Sequence, residues 1–145
     1  VAALVRAGIP VMGHIGLLPQ SVHQHGGYKK QGVDAASAMK LRDDARALEE
    51  AGAYAIVLEL VEPQLAGELS PRLSIKPIGI GAGPDCDGQV LVMADLLGMT
   101  PGKAPGFVKQ YADLWKTAGK GLKGYAEEVR DGKFPHRVER AETPE

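Results

Sequence analysis

The sequence predicts an α/β fold built on a parallel sheet, and three observations support this class. Short apolar runs recur along the 145 residues, and segments with helical periodicity separate them. Alternation of this kind is typical of βα units. Polar side chains follow the apolar runs at their carboxyl ends, where parallel sheets carry their sites. Two architectures fit: a doubly wound sheet, or half of a (β/α)8 barrel, which needs about 250 residues in full.

The first predicted elements are a helix end and a short strand. Val1–Ala7 is expected to close a helix, because Gly8 suits the left-handed residue that often follows one. Ile9–Met12 is apolar and bounded by glycine, as in a buried parallel strand. Residues 14–33 are polar, which predicts a long loop. The opening residues include no initiator methionine and no charged start of a signal peptide, so we expect a chain cut from a longer protein.

A capped helix and the strongest strand of the sequence come next. Asp34 can cap a helix that runs to about Ala51, where Gly52 follows. The predicted core face of this helix repeats at helical spacing and consists of Ala38, Leu41, Ala45 and Leu48. Tyr54–Leu60 is then predicted to be a buried strand, because it is continuously apolar up to its glutamate.

The alternation continues beyond this strand. Pro63 suits the first turn of a short helix that ends at Leu69, before the helix-breaking pair Ser70-Pro71. Lys76–Gly81 is the third predicted strand, and Gln89–Met93 is the fourth, with its polar end at Asp95. The repeated order of strand, helix and strand predicts βα units and a parallel sheet, with four strands in all.

The last part of the chain is predicted to be helical and then loose. Helices are expected over residues 107–118 and 122–130, after a stretch rich in glycine and proline. We assign residues 1–133 to the folded domain. Residues 134–145 combine two prolines with many charges, which predicts a flexible tail.

Composition excludes several classes of partner. Lysine and arginine number 17 against 18 acidic residues, a net charge of −1, so nothing favours nucleic acid or an anionic membrane. No apolar run approaches the roughly 20 residues that cross a bilayer. Cys86 is the only cysteine, which rules out a disulfide within the chain. We therefore expect a reducing compartment and a cytoplasmic location.

His14 is the first candidate for chemistry, and it is predicted to lie just beyond the first strand. An imidazole in a strand-end cleft can bind substrate or exchange protons. A histidine that merely hydrogen-bonds its own loop is the alternative. The neighbours Gly13 and Gly16 favour a functional role, because small residues let a ligand approach the backbone.

Glu59 is the second candidate, at the end of the strongest strand. A carboxylate there must face a polar cavity or pair with a cation, because burying it unpaired is costly. In a cleft it could remove a proton next to a carbonyl group. The alternative is an ion pair with a residue outside this chain. Glu62 stands just before Pro63 and is better explained as a charge at a helix start.

Other polar groups give weaker signals. The glycines of GIGAG (79–83) lack the spacing of a dinucleotide site, which favours a close backbone approach at a strand end. Asp85 and Asp87 could bind a metal, although turn-forming aspartates are commoner. Cys86 stands between them without a neighbouring histidine to activate it, so a nucleophilic role is not favoured.

The loop after the first predicted strand holds two more histidines. His23 and His25, taken with His14, are spaced too irregularly for a zinc site. The segment GGYKKQG (26–32) has glycines at both ends of a polar tip, a composition typical of a mobile flap that closes over substrate. An ordinary exposed loop explains this segment equally well.

Four segments together resemble one enzyme family. They are GHIGLLPQSV (13–22), GGYKKQG (26–32), IVLELV (56–61) and IGIGAGPDCDGQVLVMADLLG (78–98). They are similar to ketopantoate hydroxymethyltransferase, and the likeness runs from about Pro10 to about Lys133. That family has a (β/α)8 barrel, so the resemblance implies that this chain is the C-terminal half of one, strands five to eight.

The resemblance implies a transferase of pantothenate, and hence coenzyme A, biosynthesis. Such an enzyme moves a hydroxymethyl group from 5,10-methylenetetrahydrofolate to 3-methyl-2-oxobutanoate, through an enolate that Mg²⁺ stabilises. The family also implies a homo-oligomer, a decamer of two pentameric rings. By the same resemblance, Glu59 would be the base that removes the C3 proton and His14 a substrate contact. Leu18 and Leu60 replace a common threonine and cysteine without removing a catalytic group.

The resemblance also exposes a gap. The family's metal-binding aspartates, a further glutamate near the metal and a substrate-binding lysine belong to the first half of the barrel, and no residue here corresponds to them. We expect no metal ligand in this chain and weak binding of Mg²⁺ and keto acid until that half is supplied. Two alternatives stay open: another Mg²⁺-dependent 2-oxo acid lyase or mutase of the same superfamily, and an inactive truncated subunit.

Overall fold

The computed structural model describes residues 1–21 and 27–136 and confirms the α/β class. Within those residues, four parallel strands form one sheet in the order β1-β2-β3-β4. The strands are Met12–Gly16 (β1), Ala55–Glu59 (β2), Lys76–Ile80 (β3) and Gly88–Gln89 (β4). The α-helices are Ala2–Arg6 (α1), Ala35–Glu50 (α2), Pro63–Leu69 (α3), Met93–Leu96 (α4) and Leu114–Arg130 (α5). Short 3₁₀ turns cover Pro19–Ser21 and Ser70–Arg72.

Two compact units divide the chain, Val1–Leu91 and Val92–Glu145. The sheet belongs to the first unit, and helices α4 and α5 belong to the second. The assignment of residues 1–133 to one half-barrel domain stays a prediction, and the tail expected at 134–145 lies mostly outside the described residues. Every helix in the described part of the chain is too short or too polar to cross a membrane.

Helix α2 forms where its cap and its apolar spacing predict it. The Asp34 carboxylate accepts hydrogen bonds from the backbone N–H groups of Ala36 (3.1 Å) and Ser37 (2.9 Å), which satisfies the open amino end of the helix. The hydrogen bonds from Ser37 lower the pKa of Asp34, because they stabilise its charged form. On the predicted core face, Ala38, Leu41 and Ala45 are buried and Leu48 packs against the core.

The core lies between one face of the sheet and helices α2 and α3. Ile56 and Leu58 of β2 are fully buried there. They cluster with side chains of both helices, among them Leu41, Ala45, Leu65 and Leu69. Since side chains along a strand alternate between faces, Glu59 belongs to the opposite face. A parallel sheet with α2 and α3 packed on one face is consistent with part of a TIM-type barrel.

Strand β1 lies further along the chain than predicted. It pairs with β2 from Met12 opposite Ala55 to Gly16 opposite Glu59, whereas the prediction placed the strand at Ile9–Met12. Gly13 lies inside the strand and does not end it. A Cβ atom on Gly13 would lie only 2.8 Å from the Leu48 Cδ1 atom, so the Leu48 side chain packs directly against this glycine. The prediction that His14 follows the strand was therefore wrong, since His14 is the third residue of β1.

The fourth strand is shorter than predicted. Only Gly88–Gln89 pairs with β3, and the predicted strand Gln89–Met93 was wrong beyond its first residue. Its expected end, Asp95, lies inside helix α4, where the Asp95 N–H donates to the Val92 carbonyl at 3.0 Å. An apolar run as short as this one fits a strand or a helix turn equally, so periodicity could not separate them.

One helix, α5, replaces the two that were predicted over residues 107–118 and 122–130. It begins after Asp113, whose Oδ1 atom accepts the N–H of Lys116 at 3.1 Å. Residues 107–113 are not helical. Gly119 lies inside the helix with open space around it, so this glycine weakens the helix without ending it.

An ion-pair cluster joins α2 to α3. Arg42 donates from Nε to Oε1 of Glu68 (3.0 Å) and from Nη2 to Oε2 (2.6 Å), and Arg72 donates to Oε1 from Nη1 (2.7 Å). The hydrogen bonds from Arg42 lower the pKa of Glu68 below its ordinary value. Two-pronged pairing of this kind holds the two helices in register on the outer side of the core.

We expect this cluster to make stability depend on pH in the acid range. The ion pair contributes fully above the pKa of Glu68 in the unfolded chain, about 4.3, and its contribution is lost as pH falls through the lower folded value. Glu68→Gln should therefore lower the free energy of unfolding near neutral pH. In the acid range, the free energy of unfolding of this variant should fall less with decreasing pH than that of the wild type. Urea denaturation from neutral pH to about pH 3 measures this, with Glu128→Gln on α5 as the control. Parallel curves for the wild type and Glu68→Gln would contradict it.

Candidate functional site

The structure brings His14 and Glu59, the two residues that the sequence singled out, into contact. The imidazole Nε2 atom lies 3.0 Å from the Oε2 atom of the Glu59 carboxylate, which is hydrogen-bonding distance. The side chain of Glu59 is 15% exposed and that of His14 is 36% exposed, so the carboxylate is the more enclosed partner. An imidazole in this position can orient a carboxylate or exchange a proton with it.

The register of the sheet explains the contact. His14 stands opposite Val57 in the parallel pair of β1 and β2, and Gly16 stands opposite Glu59. Residues two apart on a strand share a face, so His14 and Glu59 are diagonal neighbours on one face. Ile15 belongs to the other face and joins the core beneath α2 and α3. The candidate pair therefore lies on the side of the sheet away from these helices.

Gly16 allows β1 and β2 to approach closely at this point. Its φ angle is +96°, and a Cβ atom on it would overlap the carbonyl oxygen of Glu59. The next residue, Leu17, is fully buried and donates its N–H to that same carbonyl at 2.9 Å. Gly16 is thus required by the backbone approach, and Gly13 lies against the end of the Leu48 side chain. Packing therefore accounts for these glycines, whereas the sequence suggested ligand access.

Leu60 adopts an unusual backbone conformation directly after Glu59. Its φ angle is +50°, in the left-handed region that costs a residue with a side chain about 1–2 kcal/mol. Hydrogen bonds hold it on both sides, since its N–H donates to the Ile80 carbonyl (2.9 Å) and its carbonyl accepts the N–H of Gln31 (2.8 Å). The chain leaves β2 through this turn, which fixes the direction in which the strand ends.

The segment that follows the first loop docks on the residues after Glu59. Gln31 forms an isolated parallel bridge with Val61, in which the Gln31 carbonyl accepts the N–H of Glu62 at 2.9 Å. Beside it, Lys30 Nζ lies 3.2 Å from Glu62 Oε2. The described part of the predicted flap, residues 27–32, is thus attached at its carboxyl end, while residues 22–26 lie outside the described residues.

The weaker candidates do not converge on this pair. A Cβ atom on Gly79 would lie 3.1 Å from the Cys86 sulfur, which supports the close backbone approach expected of GIGAG. Burial, together with the charges of Asp85 and Asp87, raises the pKa of the Cys86 thiol, so it stays protonated and unreactive near neutral pH. Asp87 pairs with Lys76 at 2.8 Å. His23 and His25 lie outside the described residues.

A cleft of about 350 Å³ adjoins His14 and borders β1, which is an edge strand of the sheet. Its walls come from the end of β1, from the docked segment and from α2, and they include His14, Gly16, Leu18, Gln31, Lys40 and Asp44. Lys40 pairs with Asp44 at 2.5 Å, so the two charges on the α2 wall compensate each other. The backbone of β1 is hydrogen-bonded to β2 along its other edge.

Sequence reasoning did not predict the contacts of Lys30 and Gln31 or the backbone conformation of Leu60. Lys30 and Gln31 act across a separation of about thirty residues, and no local pattern encodes such a bridge. Leucine is a residue that rarely adopts positive φ, so its identity also gave no sign of the turn at Leu60.

The sequence of this chain is similar to one enzyme family and to several of its members. A family model described as ketopantoate hydroxymethyltransferase matches residues 1–137. The 3-methyl-2-oxobutanoate hydroxymethyltransferase of Carboxydothermus hydrogenoformans is 56% identical over 135 residues, which cover 93% of this chain and 49% of the relative. The enzyme of the same name from Acidothermus cellulolyticus is 57% identical over 136 residues, covering 93% and 49%. The chain thus spans about half the length of the curated relatives it matches.

Proposed function

This chain belongs to the ketopantoate hydroxymethyltransferase family, and we propose that it provides part of the active site of such an enzyme. The reaction would transfer a hydroxymethyl group from 5,10-methylenetetrahydrofolate to 3-methyl-2-oxobutanoate, giving ketopantoate for pantothenate synthesis. The single observation that supports a chemical role for this chain is the contact of 3.0 Å between His14 and Glu59 on one face of the sheet.

In this proposal Glu59 is the base and His14 holds it and contacts the substrate. The C3–H bond of the keto acid lies next to its carbonyl group, so loss of that proton leaves an enolate. The proton goes to the Glu59 carboxylate, and the electron pair of the C3–H bond forms the new C–C bond to the one-carbon unit of the donor. The two methylene–nitrogen bonds of the donor break, tetrahydrofolate leaves, and water supplies the hydroxyl oxygen of the product. A hydrogen bond between His14 Nε2 and Glu59 Oε2 would leave Oε1 for the substrate proton.

Mg²⁺ belongs to the proposal as the metal that stabilises enolates of this kind. The described residues of this chain do not fit it by themselves, because no group of three or more histidine, cysteine, aspartate or glutamate side chains within residues 1–21 and 27–136 could hold a metal ion. We therefore propose that the metal ligands come from the part of the enzyme that the relatives have and this chain does not cover.

We expect the isolated chain to bind Mg²⁺ and 3-methyl-2-oxobutanoate weakly. Calorimetry should show no saturation below about 1 mM of the Mg²⁺–keto acid mixture. The physical reason is that Mg²⁺ requires converging oxygen ligands, and the described residues offer no such group. Tight binding with one ion per chain would contradict this expectation, and an unrelated keto acid without Mg²⁺ is the control for nonspecific heat.

The same proposal requires two kinds of protein partner. Among residues 1–21 and 27–136, β1 is an edge strand, and a preceding strand of the barrel would pair there, so the N-terminal half is the first partner. The second is another copy of the chain, in the decamer of two pentameric rings that the family resemblance implies. Helix α5 supports an interface, because four of its exposed apolar residues recur at intervals of seven, three and four residues, a spacing that keeps them on one face: Trp115, Leu122, Tyr125 and Val129.

The test of the proposed function uses the complete assembly, with both halves of the barrel. It measures exchange of the C3 hydrogen of 3-methyl-2-oxobutanoate in deuterated water, and then formation of ketopantoate with the folate donor. Exchange with folate-dependent product supports the proposal. Enolate chemistry that does not depend on folate would favour another 2-oxo acid lyase or mutase of this superfamily. Absence of both reactions would favour an inactive subunit.

A further inference from the structure

Backbone hydrogen bonds from three segments hold Glu59 and the residues that follow it. Leu17 donates its N–H to the Glu59 carbonyl, and the Leu60 N–H donates to Ile80 on the neighbouring strand. On the remaining side, Gln31 accepts from Glu62 and donates to Leu60 through its backbone (2.9 and 2.8 Å). The docked segment, residues 27–32, thus completes a set of contacts around the end of β2.

The Lys30–Glu62 ion pair is the side-chain contact that joins the same two segments. The two charged atoms lie 3.2 Å apart, with the lysine 51% and the glutamate 31% exposed. A half-exposed pair contributes little to global stability. Lys30 is the neighbour of Gln31 in the chain, and Glu62 itself donates one backbone hydrogen bond of the bridge. The effect of the ion pair should therefore be local and should fall on the turn at Leu60.

We propose that Lys30 and Gln31 are positioning residues for Glu59, acting through the bridge to residues 60–62. This inference rests on the proposed role of Glu59 as a base. Leu60 holds a conformation that is unfavourable for a residue with a side chain, so the turn needs external contacts to persist. When the docked segment leaves, the turn can relax, and the direction in which Glu59 extends towards His14 changes with it.

A charge-swap series tests the proposal in the complete assembly. Lys30→Glu places two like charges at the contact and should lower kcat for C3 exchange about 5- to 20-fold, with KM within about twofold, because a misdirected base affects the chemical step more than binding. Glu62→Lys should do the same. The double variant Lys30→Glu/Glu62→Lys should return kcat to within about twofold of wild type, because the pair is restored with opposite polarity.

Lys29→Glu is the matched control. It makes the same charge change one residue away, and Lys29 makes no ion pair among the described residues. It should leave kcat within about twofold of wild type. Failure of the double variant to recover, or an equal loss in Lys29→Glu, would overturn the proposal, because either result would show that the specific contact is not what matters.

Amide hydrogen exchange gives a readout that does not depend on catalysis. In Lys30→Glu, the amides of Gln31, Leu60 and Glu62 should exchange about tenfold faster or more, as local opening becomes easier. The Leu17 amide reports the Glu59 carbonyl directly and should follow them. Unchanged protection at these four amides overturns the positioning role even if the enzyme is active. If the wild-type assembly shows no C3 exchange, the proposed function fails. The amide exchange rates alone then show whether Lys30 holds the bridge between Gln31 and residues 60–62.

Discussion

Replacing Glu59 with glutamine is expected to lower C3 hydrogen exchange of 3-methyl-2-oxobutanoate by about 10²- to 10⁴-fold in the complete assembly. The substitution keeps the shape of the side chain and the possibility of a hydrogen bond to His14 Nε2, which lies 3.0 Å from the native carboxylate. It removes the oxygen that would accept the proton. The exchange rate is measured from the loss of the C3 proton signal. Varying the keto acid concentration then separates an effect on KM from an effect on kcat.

The matched control for this variant is Glu50→Gln. Glu50 is an exposed carboxylate at the last residue of α2, so the change is chemically the same but distant from the pair. We expect its exchange rate to equal that of the wild type. A folded Glu59→Gln protein with undiminished exchange would remove Glu59 from the role of base, while a loss in both variants would indicate a general effect of charge.

Gly16→Ala is expected to have the largest effect on stability, lowering the free energy of unfolding by about 2–5 kcal/mol. The positive φ of +96° accounts for about 1–2 kcal/mol of this. Overlap of the new Cβ with the Glu59 carbonyl accounts for about 1–3 kcal/mol more, because β1 and β2 must separate to admit it. Urea denaturation of the wild type and the variant measures the difference.

Gly8→Ala separates the two contributions. Gly8 also has a positive φ, +80°, but a Cβ atom there would meet nothing within 4 Å. The control should therefore lose only about 1–2 kcal/mol, the part that belongs to the backbone conformation. If Gly8→Ala and Gly16→Ala lowered the free energy of unfolding equally, the close approach of β1 and β2 at Gly16 would add no cost of its own.

The parts of the fold that were predictable from sequence are those that local chemistry determines. Asp34 caps α2 through its own neighbours, and the apolar spacing of Ala38, Leu41 and Ala45 is read directly from a helical repeat. Strand β2 was found because its sequence is continuously apolar up to Glu59. In each case a segment shorter than about twenty residues contains all the information that its structure requires.

The errors arose where distant segments decide the structure. Gly13 belongs inside β1 because Leu48, on a helix thirty-five residues later, occupies the space beside it. The bridge between Gln31 and Val61 depends on the same kind of separation. The site itself was partly predictable, because parallel strands present their carboxyl ends together, yet the contact between His14 and Glu59 depends on a register that no single segment encodes.

The order of the sheet has a consequence for how the chain is made. Each strand pairs with the strand next to it in sequence, from β1 through β4, so every pairing closes only the connection between two consecutive strands. Short closures of this kind are entropically cheap, and they can form one after another as the polypeptide leaves the ribosome. A protein assembled in this order can be divided between two successive units without breaking any pairing inside either piece. Division of a closed barrel leaves two backbone edges on each fragment, here β1 and β4. Reassociation then depends on concentration instead of chain connectivity.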